Sequence, residues 1–106
     1  QYDTCLLYIK KCIELYENEA LKQQSSLRHF PKKDSTHQYW ALNDVGTCYF
    51  IMGKLYCEKK EWKKAKKAFK KIIKDFKYSQ AWDTNGWFWK VAQAARKELG
   101  LIALKK

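Results

Sequence analysis

The stretch at residues 61–77, EWKKAKKAFKKIIKDFK, carries the clearest structural signal in the chain. Its apolar residues recur at steps of three and four, and lysines fill most of the positions between them. This period is typical of an amphipathic helix with one buried face. The stretch therefore predicts a helix over about residues 62–76 that packs on its neighbours along a single narrow stripe.

Helical periodicity also appears upstream of this stretch. We expect a first helix over about residues 2–26 and a second over about residues 36–59, with Asp34 or Ser35 as the N-terminal cap of the second. Pro31 lies in the connection between them, because proline cannot continue a helix. The connections around the Lys-rich helix are only a few residues long, which favours antiparallel helical hairpins.

Downstream, we expect a fourth helix over about residues 80–99. Ser79 is a suitable N-terminal cap, and Gly100 is a typical helix end. The whole chain of 106 residues is short enough to be a single domain, residues 1–106. One proline and four glycines are too few for the many tight turns of a β-sandwich or barrel, so the expected fold class is all-α with about four helices.

Two features bear on the cellular location. No apolar run approaches the ~18 residues that a membrane span needs, and no secretory signal is recognisable. The four cysteines show no paired metal-ligand or disulfide spacing, which favours a reducing compartment. We therefore expect a cytoplasmic protein without a membrane span.

The net charge of +11 is concentrated around the Lys-rich helix, since residues 54–77 hold eleven lysines and three acidic residues. One interpretation is an ordinary solvated helix face. Another is a surface that binds nucleic acid or another polyanion. Adsorption to a membrane surface is disfavoured, because the apolar stripe would have to leave the core. The polyanion interpretation rests on Lys63, Lys66, Lys67, Lys70, Lys71 and Lys74.

An internal repeat links two aromatic segments. In each, an aromatic residue is followed by glycine four positions later and by a second aromatic three further on. The two sets are Tyr49, Gly53, Tyr56 and Trp82, Gly86, Trp89. A glycine at that position lets a neighbouring helix approach closely, while the aromatic side chains fill the space around it.

The pattern resembles the tetratricopeptide repeat family, whose unit is a helix-turn-helix of 34 residues. Six positions fill the family's pattern in order: Tyr49, Met52, Gly53, Tyr56, Ala65 and Phe69. Departures from the pattern are Lys60 at the usual turn glycine, Lys77 near the usual proline and Asn85 at a usual leucine. The resemblance implies stacked antiparallel hairpins in a short right-handed solenoid, with one lengthened hairpin between Tyr2 and Trp62.

The resemblance also implies a function, that of a non-enzymatic scaffold that binds a protein or peptide in a concave groove. The resemblance implies that six residues line this groove: Phe50, Lys54, Cys57, Asp83, Trp87 and Lys90. Two cations and two aromatic rings suit an acidic or carboxylate-terminated peptide with an apolar side chain. Phe50 and Trp87 could equally pack as core residues, as aromatic residues at helical spacing commonly do.

The sequence offers little for catalysis. His29, His37 and Asp34 lie near one loop, but their spacing matches no metal or catalytic motif, and no phosphate-binding loop or nucleophile motif is present. We expect no enzyme activity, no metal and no cofactor.

The first helix leaves one further interpretation open. Leu6, Leu7 and Tyr8 widen its apolar surface beyond one stripe, and a terminal repeat exposes the surface that a neighbour would bury. This surface predicts self-association, or contact with a segment upstream of the chain. Beside a peptide-binding scaffold and a polyanion-binding protein, a third interpretation of the whole sequence is a designed or truncated chain without a natural ligand.

Overall fold

The computed structural model describes residues 2–105. Within this range, four α-helices and one two-stranded sheet follow each other along the chain. They are α1 (Tyr2–Ser25), a 3₁₀ segment (Lys33–Tyr39), α2 (Trp40–Glu58), α3 (Trp62–Asp75), β1 (Gln80–Asp83), β2 (Trp87–Lys90) and α4 (Val91–Leu104). The expectation of a mainly helical chain is confirmed, and the small sheet was not anticipated.

The α2–α3 hairpin has the packing that the aromatic and glycine pattern predicts. A Cβ atom added at Gly53 would lie 2.6 Å from ring atoms of Phe69, which is fully buried on α3. The missing side chain therefore lets the two helices approach. Lys60 joins them with a φ of 60°, the left-handed conformation for which glycine is the usual choice.

Helix α1 runs antiparallel to α2 and is held to it by side-chain hydrogen bonds. The Leu42 amide donates to Oε1 of Gln23 at 2.9 Å, and the Tyr49 hydroxyl donates to Oε2 of Glu17 at 2.6 Å. Gln23 follows Glu17 on α1, whereas its partner Leu42 precedes Tyr49 on α2. The two helices therefore run in opposite directions. The first expected helix is confirmed to within one residue.

The start of the second helix differs from its prediction. Helix α2 begins at Trp40 rather than near residue 36, and neither Asp34 nor Ser35 caps it. The Ser35 amide instead donates to the Lys32 carbonyl at 2.8 Å, at the start of the 3₁₀ segment. The Asn43 side-chain amide donates to the Thr36 carbonyl at 3.0 Å, so α2 itself holds this segment in place.

The prediction of a helix over residues 80–99 is wrong in its first half. Residues 80–90 form an antiparallel β-hairpin that pairs Gln80 with Lys90, Ala81 with Trp89, Trp82 with Phe88 and Asp83 with Trp87. The Gly86 amide donates to the Asp83 carbonyl at 2.9 Å, and the Asn85 amide donates to Oδ1 of Asp83 at 2.8 Å. Gly86 has a φ of 104°, a conformation that suits a turn and no α-helix.

The end of the fourth helix is also corrected. Helix α4 begins at Val91, and Gly100 lies inside it rather than at its end. Ser79 does not cap a helix. It is fully buried against Gly46, and its carbonyl accepts a hydrogen bond from the Val91 amide at 3.2 Å. The β-hairpin is thus closed at its base by Ser79 and Val91.

The longer hairpin between α1 and α2 does not project freely from the fold. Its tip folds back over Tyr78, whose hydroxyl donates to the Arg28 carbonyl at 2.7 Å. The ring of Phe30 packs edge-on against Tyr78 at 5.1 Å, and Nζ of Lys90 lies 4.4 Å from the centre of the same Phe30 ring.

Two clusters of buried residues stabilise the chain. One joins α2, α3, β1 and α4 around Tyr56 and Phe69, and the other joins α1, α2 and the end of α3 around Leu42 and Phe76. Tyr49 packs against both clusters. Helix α2 is therefore the central element, with α1 against one part of its surface and α3 against another.

Candidate ligand groove

A groove of about 770 Å³ runs between α1 and α3, above α2. Its floor consists of Ile13 from α1, Ala68 from α3, and Tyr49, Met52 and Tyr56 from α2. Because the three floor residues of α2 follow helical spacing, one face of that helix supplies them together. The groove thus has a mainly apolar base, and its volume lies within the range of ligand sites.

Lysine side chains form the rim of the groove. Lys10 stands on the α1 side, and the α3 side carries Lys64, Lys67, Lys70, Lys71 and Lys74. Four of the α3 lysines follow the i, i+3, i+7, i+10 spacing of a single helix face. The same period that buries the apolar stripe of α3 therefore also lines up its cations beside the groove.

Two rim lysines are already paired with acidic residues of α3 or its start. Nζ of Lys64 lies 3.1 Å from Oε1 of Glu61, and Nζ of Lys71 lies 2.6 Å from Oδ2 of Asp75. The hydrogen bond from Lys64 lowers the pKa of Glu61, although burial opposes this change. Among the described residues, no carboxylate lies within 4.0 Å of Nζ of Lys10, Lys67, Lys70 or Lys74. These four ammonium groups are available to a ligand.

One acidic side chain, Glu17, also reaches the groove. Its carboxylate accepts the hydrogen bond from the Tyr49 hydroxyl, which spans from α2 to α1. Burial raises the pKa of Tyr49, and the bond to Glu17 raises it further. The phenol therefore stays protonated and keeps the carboxylate of Glu17 occupied.

Hydrogen bonds tie α1 to the chain on either side of α3. The Tyr2 hydroxyl donates to Oε2 of Glu61 at 3.2 Å, just before α3 begins. After α3 ends, the Tyr78 amide donates to Oε1 of Gln24 at 2.9 Å. Helices α1 and α3 therefore run in the same direction along the two sides of the groove, and their separation is fixed at both ends.

The expected concave-groove residues of α2 occupy a different surface. The Phe50 ring packs edge-on against Phe69 at 5.5 Å and against Trp89 at 5.3 Å, so Phe50 contributes to the core contact between α2, α3 and β2. Nζ of Lys54 lies 3.3 Å from Oε2 of Glu98 on α4.

Cys57 is half-buried on the same side of α2 and packs against the core around Phe69. Burial raises the pKa of the Cys57 thiol, and the nearby Glu98 carboxylate adds to this effect. Three of the expected groove positions, Phe50, Lys54 and Cys57, are therefore taken up by packing against α3, α4 and β2.

The other three expected residues lie on the β-hairpin. Asp83 accepts the turn hydrogen bonds, Trp87 is 54% exposed beside the turn, and Lys90 lies over Phe30. Asp83 and Trp87 are cross-strand partners, whereas Lys90 is at the other end of its strand. The cavity between α1 and α3 includes none of the six residues.

The lysines of the polyanion interpretation divide into two groups. Lys67, Lys70, Lys71 and Lys74 line the groove. Lys63 is exposed on α3 outside the groove, and Lys66 is half-buried. The groove adds Lys64 from α3 and Lys10 from α1, and the pattern of α3 alone does not indicate a lysine on the opposite helix.

The outer face of α1 is exposed, as the sequence predicts for two of its three residues. Leu7 is 71% exposed and Tyr8 is 75% exposed, whereas Leu6 packs against the core around Phe69. Leu15 adds another exposed apolar side chain to this helix. Self-association through this face stays a prediction.

The described residues contain no group of three or more His, Cys, Asp or Glu side chains that could hold a metal ion. His29 and His37 are both exposed, and the Nδ1 atom of His29 lies 3.0 Å from the Phe30 carbonyl.

Within residues 2–105, no helix has the length and apolar character needed to cross a membrane. The four cysteines are free thiols, and Cys5 is exposed.

The turn of the β-hairpin has a sequence signal that the prediction of a helix over residues 80–99 does not include. An Asn-Gly pair between aromatic segments is a strong short-range indication of a hairpin. Here Asn85 and Gly86 form that pair, and Asp83 before them is typical of turns that use the side chain to bond the backbone. The groove itself had no comparable signal, since it depends on three helices meeting.

No family model, curated protein or solved structure matches the chain. The resemblance to tetratricopeptide repeats therefore depends on the residues of the chain alone.

Proposed function

We propose that this protein is a non-enzymatic binding module that holds an acidic protein or peptide segment in the groove between α1 and α3. The observation that carries the proposal is the combination of an apolar floor with a rim of six lysines, four of which (Lys10, Lys67, Lys70 and Lys74) have no acidic partner among the described residues. Carboxylates of a ligand would pair with the rim, while its apolar side chains would contact the floor.

We also propose that α2 and α3 form one tetratricopeptide-like unit. In its favour are the close approach at Gly53, the buried Ala65 and Phe69, and the packing of Tyr49 and Tyr56 in the core. The β-hairpin at residues 80–90 interrupts any continuation of the repeat in its first-helix position. For this reason we place the ligand between α1 and α3 rather than on the six concave-groove positions.

A polyanion such as nucleic acid is the second candidate, and exposed Lys63 on α3 outside the groove favours it. A polyanion responds to the summed charge of a surface and binds with an affinity that falls steeply with salt. An apolar floor contributes little to phosphate binding. The two candidates therefore differ in how much they depend on the position of each lysine.

The test compares two double variants that remove the same charge. Lys67→Gln with Lys74→Gln removes two of the unpaired lysines of the groove, and Lys63→Gln with Lys97→Gln removes two exposed lysines elsewhere. Titrations would use a peptide rich in Glu and Leu and, separately, a single-stranded oligonucleotide. We expect the groove variant to weaken peptide binding by about tenfold or more, consistent with two lost charged hydrogen bonds.

The control variant should bind the peptide as the unchanged protein does. Equal losses for both variants, together with oligonucleotide binding that is stronger than peptide binding at physiological salt, would favour the polyanion function. Absence of peptide binding at low salt would contradict the proposed function.

A further inference from the structure

We infer that the segment held between α1 and α3 is an amphipathic α-helix that carries two carboxylates seven residues apart. This inference rests on the proposed function and specifies the conformation and pattern of the ligand. It follows from the nature of the groove walls, the positions of the two unpaired lysines on the aligned face of α3 and the charge of the chain.

The groove walls favour a helical ligand because all three are themselves helices. The groove is lined by residues within α1, α2 and α3, where backbone amides and carbonyls are bonded inside each helix. An extended peptide would find no sheet edge with which to form main-chain hydrogen bonds. A helical ligand satisfies its own backbone and needs only side-chain contacts, as in other helix-in-groove complexes.

Of the four lysines aligned on one face of α3, only Lys67 and Lys74 have no acidic partner, and their spacing gives the spacing of the ligand's carboxylates. Lys67 and Lys74 are seven residues apart on α3, which corresponds to about 10 Å along the helix axis. A ligand helix lying alongside α3 would present side chains at i and i+7 with the same separation. Lys64 and Lys71 lie on the same helix face, but their bonds to Glu61 and Asp75 occupy them.

The floor requires an apolar stripe next to those carboxylates. Met52 lies between Tyr49 and Tyr56 on α2, and methionine adapts its shape to different apolar partners. The Tyr49 hydroxyl is already bonded to Glu17, so the floor offers the ligand mainly ring and chain carbon atoms. Leucine or similar side chains on the ligand would fill this space.

A second copy of the chain is disfavoured as the occupant. The net charge of +11 makes two copies repel each other, most strongly where one would approach the lysine rim of the other. Charge complementarity therefore favours a different, acidic chain. Self-association through Leu7 and Tyr8 would use the outer face of α1 and is a separate question.

The experiment compares three capped peptides, each about four helical turns long. The first has glutamates at i and i+7 beside a stripe of leucines, with alanines elsewhere. The second has the same composition, rearranged so that the glutamates lie on opposite helix faces. The third matches the first except for a proline in place of a central alanine on the face directed to solvent. Binding is measured by calorimetry and helix formation by circular dichroism of the mixture.

We expect the first peptide to bind at least about tenfold more tightly than either of the others and to gain helicity when bound. The Lys67→Gln, Lys74→Gln variant should remove most of that preference, while the Lys63→Gln, Lys97→Gln variant should retain it. Equal binding of all three peptides would overturn the helical inference and leave the proposed function standing. If none of the three binds at low salt, the proposed function itself fails.

Discussion

Residues 49–56 and residues 82–89 share one spacing of aromatic residues around a glycine, but they adopt different structures. The first segment is part of α2, where Gly53 provides room for the Phe69 ring. The second forms most of the β-hairpin, where Gly86 supplies a positive φ and no atom beyond its chain neighbours lies within 4 Å of the position of its missing Cβ. One glycine is needed for space and the other for its backbone conformation.

The residues between the shared positions account for the difference. In the first segment they are Phe50, Ile51 and Met52, which fit a helix interior. In the second, Asp83 and Asn85 are turn-forming residues, and the Asp83 side chain bonds the Asn85 amide. Identical spacing therefore leads to different structures when the intervening side chains offer the backbone an alternative hydrogen-bond partner.

The largest effect is expected just before the two segments, at Gly46 of α2, which packs against the residue that leads into the β-hairpin. In Gly46→Ala, the new Cβ would collide with Cβ and Oγ of buried Ser79, the residue that leads into β1. The Ser79 amide donates to the Phe76 carbonyl at 3.0 Å, so the residue cannot easily move away. We expect the free energy of unfolding in urea to fall by about 3 kcal/mol. Addition of Ser79→Gly should recover much of this loss; no loss in the single variant would disprove the close approach.

Gly53→Ala should have the next largest effect, because its Cβ would lie 2.6 Å from the ring of Phe69. We expect a loss of about 2 kcal/mol in the free energy of unfolding, less than the steric cost alone because alanine favours helix. A double-mutant cycle with Phe69→Leu measures the conflict directly, since the smaller side chain makes room. Strictly additive effects would show that Gly53 is not needed for space.

Tyr49→Phe tests the aromatic residue that opens the first segment. The variant leaves the Glu17 carboxylate without its 2.6 Å hydrogen bond, and we expect a loss of about 1.5 kcal/mol in the free energy of unfolding near neutral pH. The exposed Tyr8→Phe is the matched control.

The same bond gives this region a pH dependence. Because folding raises the pKa of Tyr49 above its ordinary value of 10.0, the unfolded chain loses that proton first as the pH rises. The contribution of Tyr49 is therefore complete below about pH 10 and declines above it. Urea unfolding at about pH 8 and pH 11 should show a smaller decline for Tyr49→Phe than for Tyr8→Phe. Equal declines would contradict the role of the bond.

Gly86→Ala should destabilise the second segment by about 1 kcal/mol, through its φ of 104° and not through a clash. The neighbouring exposed loop residue gives the control, since Thr84→Ala should change stability by less than about 0.5 kcal/mol. Thermal unfolding followed by circular dichroism is sufficient for this comparison. If Gly86→Ala is neutral, the turn is not held in the conformation described.

Gly100→Ala has the smallest expected effect, and the sign is opposite. Gly100 is exposed inside α4, and apart from its chain neighbours and the backbone of its own helix no atom lies within 4 Å of the position of its missing Cβ. Alanine should therefore raise the free energy of unfolding by about 0.5 to 1 kcal/mol. A loss of stability would show that this position has a contact or a conformation that the structure does not contain.

The parts of the fold that the sequence predicted are those with a strong helical period. Helix α3 and helix α1 were located to within one residue, since their apolar stripes extend over several turns. The helix predicted for residues 80–90 is wrong because their aromatic spacing fits a helix, whereas the Asn85-Gly86 pair favours the hairpin turn that forms. The candidate site was predicted only in part, for the α3 lysines. Its other wall and floor come from Lys10, Ile13 and the α2 residues, which no local pattern brings together.

The hydrogen bonds from Tyr2 to Glu61, from Tyr49 to Glu17 and from the Tyr78 amide to Gln24 keep α1 at a set distance from α3 before any partner arrives. A partner should then dock without a preceding rearrangement of the protein, and its encounter rate should be governed by long-range attraction to the rim lysines. Added salt would slow this encounter, while the lifetime of the complex would depend mainly on contacts with Met52 and its neighbours. The rim and the floor would thus control separate kinetic steps.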